Sequence, residues 1–131
     1  MNAEDLIRRA LEAGRYAHAP YSDYQVGAAV LGSDGRVWIG CNIENASFGL
    51  TICAERVAVF KMVADGILSI DTVAVVTKDG GTPCGACLQV LNEFAPDPSS
   101  VKIIVADHTL KHRVFTLNQL LPYGFKSGSL D

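Results

Sequence analysis

Three cysteines and one glutamate are the residues of this 131-residue chain whose spacing points most directly to chemistry. Cys53 and Glu55 stand two positions apart in "TICAERVAVF", and Cys84 and Cys87 stand three apart in "PCGACLQV". Residues three apart lie on one face of a helical turn, so Cys84 and Cys87 can direct their sulfurs to one point. Because thiolates are preferred ligands of Zn²⁺, the spacing indicates a zinc site made of Cys53, Cys84 and Cys87.

Both cysteine segments are predicted to lie at helix N-termini. Cys53 comes one residue before one predicted helix, and Cys84 begins another. Unpaired backbone N–H groups and the helix dipole favour the thiolate form at such positions. Three protein ligands leave the fourth position of tetrahedral zinc for water, which is the arrangement of catalytic sites and not of structural ones.

Glu55 is the predicted proton carrier of this site. It lies two residues from a proposed ligand, close enough to reach water on the metal without binding the metal itself. A carboxylate there can take a proton from the water and return it to a leaving group. Arg56 follows Glu55 and could donate hydrogen bonds to the thiolates, which would offset the charge of about −1 that three thiolates leave on Zn²⁺.

Other roles stay open for these residues when they are considered alone. Cys84 and Cys87 could form a redox pair or half of a structural zinc site, although a structural site needs a fourth Cys or His at ligand spacing. Cys41 is the only spare cysteine, and it ends an apolar strand, so we expect it to pack in the core. The three histidines are expected as solvated or capping residues: His18, His108 and His112.

The elements that must position these residues alternate between helix and strand. Apolar spacing predicts a helix over residues 4–18 that Pro20 ends, followed by a hairpin around Asp34-Gly35. Helices are then predicted in "AERVAVFKMVADG" and "GACLQVLNEFA", buried strands in "IDTVAVVTK" and "VKIIVAD", and a last strand in "RVFT" before a turn at "LNQLLPYGF". The order α-β-β-α-β-α-β-β predicts an α/β fold, a three-layer α/β/α sandwich around a five-stranded mixed sheet.

Composition and charge exclude several classes of protein. A chain of 131 residues that is 49% hydrophobic and 19% charged is expected to form a single domain over residues 1–131. With a net charge of −3 and no basic run, it is not expected to grip a long nucleic acid, and its apolar runs are too short to span a bilayer. The N-terminus lacks the pattern of a secretory signal, so we expect a cytoplasmic protein whose cysteines serve a metal or catalysis.

Several motifs occur in the order typical of one enzyme family. They are "PYSDYQVGAAV", "GCNIENASFG", "CAER", "PCGACLQVLNEF" and "LLPYGF". The chain resembles the small homotetrameric zinc-dependent cytidine deaminases, and it carries Cys53 where other members of the wider deaminase superfamily use His. The resemblance covers nearly the whole chain. It implies hydrolytic deamination of cytidine and 2′-deoxycytidine to uridine and 2′-deoxyuridine with release of ammonia, a step of pyrimidine salvage, with Zn²⁺ as cofactor.

The resemblance also implies roles for individual residues. Cys53, Cys84 and Cys87 would bind Zn²⁺, and Glu55 would protonate N3 of the pyrimidine and then the departing amine, with Arg56 supporting the thiolates. The remaining roles concern the substrate: Asn42 and Glu44 on the ribose 3′-hydroxyl, Tyr24 on the pyrimidine ring in place of the family's usual Phe, Ala54 in the substrate site, and Ala46, Phe48 and Phe125 in a neighbouring subunit's site. The active site would therefore need the homotetramer.

Elementary chemistry agrees with the roles of Asn42 and Glu44. An amide and a carboxylate two positions apart on a strand face the same side, and a sugar hydroxyl is both donor and acceptor.

Two positions depart from the family pattern. Leu88 stands where an arginine usually follows the last ligand, and Phe48 stands where Tyr is more common. Neither departure affects the ligands or Glu55.

Three rival functions deserve a test. A related enzyme could act on a modified cytosine nucleoside such as an antibiotic of the blasticidin type, although that group lacks the full block "CNIENASFGLTICAER". A non-catalytic zinc-binding module could keep the fold, but the intact Glu55 argues against it. Action on a base within a polynucleotide is disfavoured because the sequence shows no basic groove.

Overall fold

The computed structural model describes residues 1–127 and contains five strands and four α-helices. The strands are β1 (Gly27–Gly32), β2 (Val37–Cys41), β3 (Ile70–Val76), β4 (Lys102–Ala106) and β5 (His112–Thr116). The helices are α1 (Ala3–Gly14), α2 (Ala54–Ala64), α3 (Gly85–Glu93) and the single-turn α4 (Leu117–Leu120), and a 3₁₀ turn spans Phe48–Leu50. Within residues 1–127, no helix has the length and apolar character needed to cross a membrane.

The five strands form one mixed sheet in the order β2-β1-β3-β4-β5. β1 pairs antiparallel with both β2 and β3, and β4 pairs antiparallel with β5. β3 and β4 are parallel, with Val73 opposite Ile103, and α3 forms the crossover between them. The expected mixed sheet is therefore confirmed, as is the expected order of helices and strands.

Helices cover both faces of this sheet. α1 packs on one face, where Leu6, Ile7 and Ala10 meet side chains of β1, β3 and β4. α2 and α3 pack on the other face, where Met62 and Leu91 join the larger apolar core. The three-layer α/β/α sandwich is therefore confirmed, with one helix on the first face and two on the second.

Close contact between α2 and β2 sets the position of the helix that follows Cys53. A Cβ added at Gly40 of β2 would lie 2.6 Å from both the Ala54 carbonyl oxygen and the Ala58 nitrogen. Only glycine allows the two backbones to approach this closely. The start of α2 is thus pressed onto the sheet, which brings Cys53 and Glu55 to the end of β2.

The predicted first helix was too long, because α1 ends at Gly14 and not near residue 18. The backbone after it pairs with the segment that follows β2: the His18 N–H donates to the Asn42 carbonyl at 2.9 Å, and the Glu44 N–H donates to the His18 carbonyl at 2.8 Å. These bonds satisfy the backbone in an extended conformation. The chain therefore leaves the helix before Pro20.

The predicted C-terminal turn contains a short helix that the sequence analysis missed. Thr116 caps α4, and its N–H donates to the Gln119 side chain at 2.9 Å.

The hairpin prediction is confirmed, since β1 and β2 pair antiparallel around Asp34-Gly35, and Gly35 has a φ of 87° that suits glycine.

Candidate active site

The sulfurs of Cys53, Cys84 and Cys87 all lie within 4.8 Å of one another. Cys53 is the residue that precedes α2, and Cys84 is the residue that precedes α3, with Cys87 in the first turn of that helix. The Cys84 and Cys87 sulfurs are 3.5 Å apart, and tetrahedral Zn²⁺ with bonds of about 2.3 Å places its sulfur ligands about 3.8 Å apart. The donor set and its spacing therefore fit Zn²⁺.

The surroundings of Cys53 favour its thiolate form. A hydrogen bond from Cys87, followed by the guanidinium of Arg56, lowers the pKa of Cys53 to about 5. That hydrogen bond keeps the proton on Cys87, and it raises the pKa of Cys87 together with burial of this side chain. Arg56 Nη2 donates to Cys53 Sγ at 3.4 Å. Binding of a cation would displace the shared proton and leave thiolates that Arg56 supports.

The Arg56 guanidinium lies beside the sulfur cluster, and only part of its hydrogen-bonding capacity is used. Its Nε atom is buried and has no hydrogen-bond partner among residues 1–127. A buried unpaired donor is destabilising, so a negative metal–thiolate group beside Arg56 would compensate for part of that loss. This orientation supports the predicted role of Arg56 as a donor to the thiolates.

Glu55 is buried close to Cys53 and Cys87, with 4% of its surface exposed. Burial, the largest cause, and the nearby Cys53 thiolate together raise the pKa of Glu55 to about 6. A carboxyl group whose pKa lies near neutrality can both accept and return a proton at working pH. The position and the pKa of Glu55 therefore suit proton transfer.

Glu55 and Cys53 line a cavity of about 470 Å³, a volume within the usual range for small-molecule sites. Of the sequence-predicted residues, this cavity also contains Tyr24, Asn42, Glu44 and Ala54. The sequence analysis missed the other residues that line it, which are Ser22, Val26, Thr51, Val75, Thr77, Gly81 and Thr82. Their sequence signal was position alone, because they lie inside or beside the segments "PYSDYQV", "TICAER", "IDTVAVVTK" and "PCGAC".

Asn42 and Glu44 lie beyond the end of β2, so the expectation that both occupy a strand was wrong. Asn42 binds the backbone of the segment that crosses the cavity: Nδ2 donates to the Tyr24 carbonyl at 2.8 Å, and Oδ1 accepts from the Val26 N–H at 2.9 Å. Glu44 accepts from the N–H groups of Tyr21 and Ser22 and from the Ser22 hydroxyl. Both polar side chains therefore build the cavity wall as well as facing into it.

The hydrogen bonds to Glu44 also set its ionisation. The Ser22 hydroxyl is the main cause that lowers the pKa of Glu44 below its ordinary value, and the backbone N–H groups of Ser22 and Tyr21 add to it. The carboxylate is therefore ionised through the weakly acidic range. An ionised carboxylate offers more acceptor positions than these three donors use.

The structure places Ala46, Phe48 and Phe125 outside the cavity of their own chain. All three are exposed, Phe48 by 71% and Phe125 by 56%. Phe48 contacts only the edge of Tyr21 among aromatic side chains of residues 1–127, with ring centroids 5.6 Å apart. These three side chains therefore do not line the cavity that contains Glu55 in their own chain.

Burial describes two further residues that the sequence analysis named. Leu88 is 7% exposed and packs in the larger core, so the side chain after the last ligand faces apolar groups. Cys41 is only partly buried and lines a small cavity with Tyr16 and Lys61, so the expectation that it packs in the core was wrong. It lies at the last residue of β2, where the sheet no longer covers it.

Comparison with known proteins supports one family. Residues 1–103 match the family model described as the cytidine and deoxycytidylate deaminase zinc-binding region. The chain is 42% identical to cytidine deaminase of Halalkalibacterium halodurans, over 100% of this chain and 99% of that protein. It is 41% identical to cytidine deaminase of Sporosarcina psychrophila, over 100% of this chain and 96% of that protein.

Solved structures agree with the curated relatives. The crystal structure of cytidine deaminase from Burkholderia pseudomallei is similar with a TM-score of 0.89 and 41% identity, over 95% of this chain and 100% of that chain. The crystal structure of cytidine deaminase from Mycobacterium tuberculosis has a TM-score of 0.81 and 40% identity, over 96% of this chain and 98% of that chain.

Proposed function

The chain belongs to the cytidine deaminase family, and on that premise we propose how its residues divide the work of the reaction. It is a zinc-dependent hydrolase that deaminates cytidine. One observation carries the assignment of residues: Glu55 and the Cys53 thiol line the same cavity, and the Cys84 and Cys87 sulfurs lie within 4.8 Å of that of Cys53. We assign Zn²⁺ binding to the three cysteines and proton transfer to Glu55.

Zn²⁺, when bound, supplies Lewis-acid activation of water for attack at C4 of the pyrimidine. Glu55 accepts a proton from that water and delivers it to N3. It then takes the second proton from the hydroxyl added at C4 and passes it to the amine, so that the C4–N bond breaks, ammonia leaves and the C4 carbonyl forms. The products are uridine and ammonia, so one water is consumed for each cytidine. Its burial and its pKa of about 6 suit a single carboxyl group to both transfers.

Arg56 and the two helix N-termini support the thiolates in this proposal. Arg56 Nη2 lies 3.4 Å from Cys53 Sγ, and Cys53 and Cys84 each precede the first residue of a helix. Positive ends of helix dipoles and a guanidinium both lower the free energy of negative sulfur. These groups would stabilise the negative charge of the sulfur ligands once Zn²⁺ is bound.

Substrate contacts follow from the walls of the cavity. We assign Asn42 and Glu44 to the sugar 3′-hydroxyl and Tyr24 and Ala54 to the pyrimidine, since all four line the cavity next to Glu55. Ribose and 2′-deoxyribose share the 3′-hydroxyl, so contacts to it do not discriminate between them. Both cytidine and 2′-deoxycytidine are therefore proposed substrates, which suits pyrimidine salvage.

A homotetramer with shared active sites is proposed from the exposed apolar surface. An open groove of about 400 Å³ beside the cavity is lined largely by Ile43, Leu50, Ile52, Val57, Phe60 and Ala64. Phe48, Leu50 and Phe60 are exposed by 71%, 64% and 48%. An exposed apolar patch of this kind is typical of a protein–protein interaction site. Aromatic side chains of this kind anchor protein interfaces, and Ala46, Phe48 and Phe125 would then complete a neighbour's site.

Two further assignments rest on general chemistry. All four cysteines are free thiols, and the zinc site requires three of them reduced, which suits the cytoplasm. We also assign residues 1–131 to a single domain, because the described residues share one sheet with helices on both of its faces.

Activity and assembly can be tested on the purified protein. Incubation with cytidine, 2′-deoxycytidine, cytosine base and blasticidin should give ultraviolet changes and ammonia with the two nucleosides only. Zinc content should be one ion per chain, and light scattering should give about four times 14.0 kDa. A protein that holds zinc but releases no ammonia from cytidine would be a non-catalytic module, and a fully active monomer would contradict the shared sites.

A further inference from the structure

Tyr24 is held at two points, its backbone carbonyl and its side-chain hydroxyl. Its carbonyl accepts from Asn42 Nδ2 at 2.8 Å, which ties its backbone to the segment after β2. Its hydroxyl donates to Asp79 Oδ1 at 2.5 Å, which ties its ring to the loop after β3. Tyr24 therefore connects the segment after β2 with the loop after β3, although it lies 55 positions from Asp79 in sequence.

The carboxylate of Asp79 is itself fixed in place. Oδ1 also accepts from the Thr77 hydroxyl at 3.0 Å, and Thr77 is 4% exposed at the end of the sheet. Thr77 Oγ1 in turn accepts from the N–H groups of Gly80 and Gly81 at 2.8 and 3.1 Å. This closed set of bonds shapes the loop of residues 77–83 that leads to Cys84.

The same loop contacts the Tyr24 ring a second time. The Lys78 ammonium lies 5.8 Å from the ring centroid, and Thr77, Gly81 and Thr82 line the cavity with Tyr24. A phenylalanine at position 24 could still pack on a pyrimidine, but it could not donate to Asp79. The connection between Tyr24 and the loop of residues 77–83 therefore depends on the tyrosine hydroxyl.

We propose that Asp79 is a positioning residue for substrate binding, and that it acts by holding the Tyr24 hydroxyl so that the ring forms a preorganised wall of the cavity. This inference rests on the proposed contact between Tyr24 and the pyrimidine. A ring fixed before binding loses less conformational freedom when the substrate arrives. Asp79 should therefore affect KM, and leave the proton transfers of Glu55 and hence kcat nearly unchanged.

A double-mutant cycle tests this role. Asp79→Ala and Tyr24→Phe should each raise KM for cytidine about three- to tenfold, the range expected for one lost hydrogen bond. The double variant Tyr24→Phe with Asp79→Ala should have the KM of Tyr24→Phe alone, because Asp79 acts through the hydroxyl. Asp79→Asn should recover most of the affinity, since its amide oxygen can accept from both Tyr24 and Thr77.

A matched control is available at Asp97, which accepts from the N–H and hydroxyl of Ser99 in a turn away from the cavity. Asp97→Ala removes a similar loop carboxylate and should leave KM unchanged. An equal rise in KM at Asp97 and Asp79 would overturn the proposal, because it would reflect general loop damage. Zinc content should remain one ion per chain in Asp79→Ala, and zinc loss would overturn it too, since the loop would then be acting through Cys84.

Tyr24→Ala separates failure of this inference from failure of the substrate assignment. If Tyr24→Ala raises KM while Asp79→Ala leaves it unchanged, the contact with the pyrimidine stands and the positioning role is overturned. The positioning role also fails if Asp79→Ala raises KM equally with Tyr or Phe at position 24. If Tyr24→Ala leaves KM unchanged, the substrate assignment of Tyr24 fails and this inference fails with it.

Discussion

The side-chain amide of Gln89 binds the backbone of Phe125 through both of its polar atoms. Gln89 Nε2 donates to the Phe125 carbonyl at 2.8 Å, and Gln89 Oε1 accepts from the Phe125 N–H at 3.2 Å. Asn92 Nδ2, one turn further along α3, donates to the same carbonyl at 3.2 Å. The helix that begins with the zinc ligands therefore also holds Phe125, the aromatic residue that we assign to a neighbouring site.

Gln89→Ala should raise KM for cytidine about three- to tenfold with a smaller change in kcat, because two hydrogen bonds that hold Phe125 are lost. Steady-state kinetics at several protein concentrations, with light scattering alongside, provide the measurement. Phe125→Ala should resemble it, since stacking acts on substrate and transition state alike. An unchanged KM in both variants would mean that Phe125 lies outside every substrate site.

Glu55→Gln should keep zinc and the fold but should lower kcat by about 10²–10⁴-fold or more, because one carboxyl group serves two proton transfers. The isosteric amide preserves packing at a residue that is 4% exposed. Single-turnover assays with cytidine and metal analysis provide the test. Turnover within tenfold of the parent would remove Glu55 from the mechanism.

Cys84→Ala and Cys87→Ala should each lose zinc and, with it, activity. The unfolding temperature should fall by about 5 °C or more, because metal binding is linked to folding. Cys41→Ala is the matched control, since Cys41 is a free thiol that lies outside the sulfur cluster. Full zinc occupancy in Cys84→Ala would show that the ligand set is wrong.

Removal of the Ser22 hydroxyl should shift the pH dependence of nucleoside binding. Ser22 is the main cause that lowers the pKa of Glu44, so the carboxylate contributes above that pKa and is lost as pH falls through it. Ser22→Ala should raise the pKa of Glu44 and move the acid-side loss of uridine affinity to higher pH.

Calorimetric titration of uridine in the Glu55→Gln background isolates this effect, because Glu55 then no longer titrates. Ser99→Ala is the control, since its hydroxyl donates to the carboxylate of Asp97 in a distant turn. Identical pH profiles for Ser22→Ala and Ser99→Ala would argue against a contact between Glu44 and the nucleoside.

Leu88→Arg should destabilise the protein by about 2–5 kcal/mol, because position 88 is 7% exposed in an apolar core and an arginine there would be a buried charge. Leu88→Met, a volume-conserving change, should cost less than about 1.5 kcal/mol. Chemical denaturation of the zinc-loaded variants provides the comparison. Parental stability in Leu88→Arg would mean that the arginine reaches the zinc thiolates and is stabilised by them.

Much of the site was predictable because its residues fall into two segments, each of which is local in sequence. Cys84 and Cys87 are one helical turn apart, and Cys53 and Glu55 lie at the start of the next helix upstream, so spacing alone indicated a metal and a proton carrier. Alternating apolar patterns likewise predicted the order of the helices and strands. Local geometry is sufficient when the interacting residues belong to a single turn.

The bridge from Tyr24 to Asp79, the hold of Gln89 on Phe125 and the burial of Leu88 depended on the tertiary structure. Each joins or buries residues through elements that are distant in sequence, such as the 55 positions between Tyr24 and Asp79. The end of α1 at Gly14 was also a tertiary outcome, because the residues after it pair with the segment following β2. Periodicity and spacing describe one element at a time. Contacts between elements depend on how the sheet and helices pack, and that packing decided which side chains meet in the cavity.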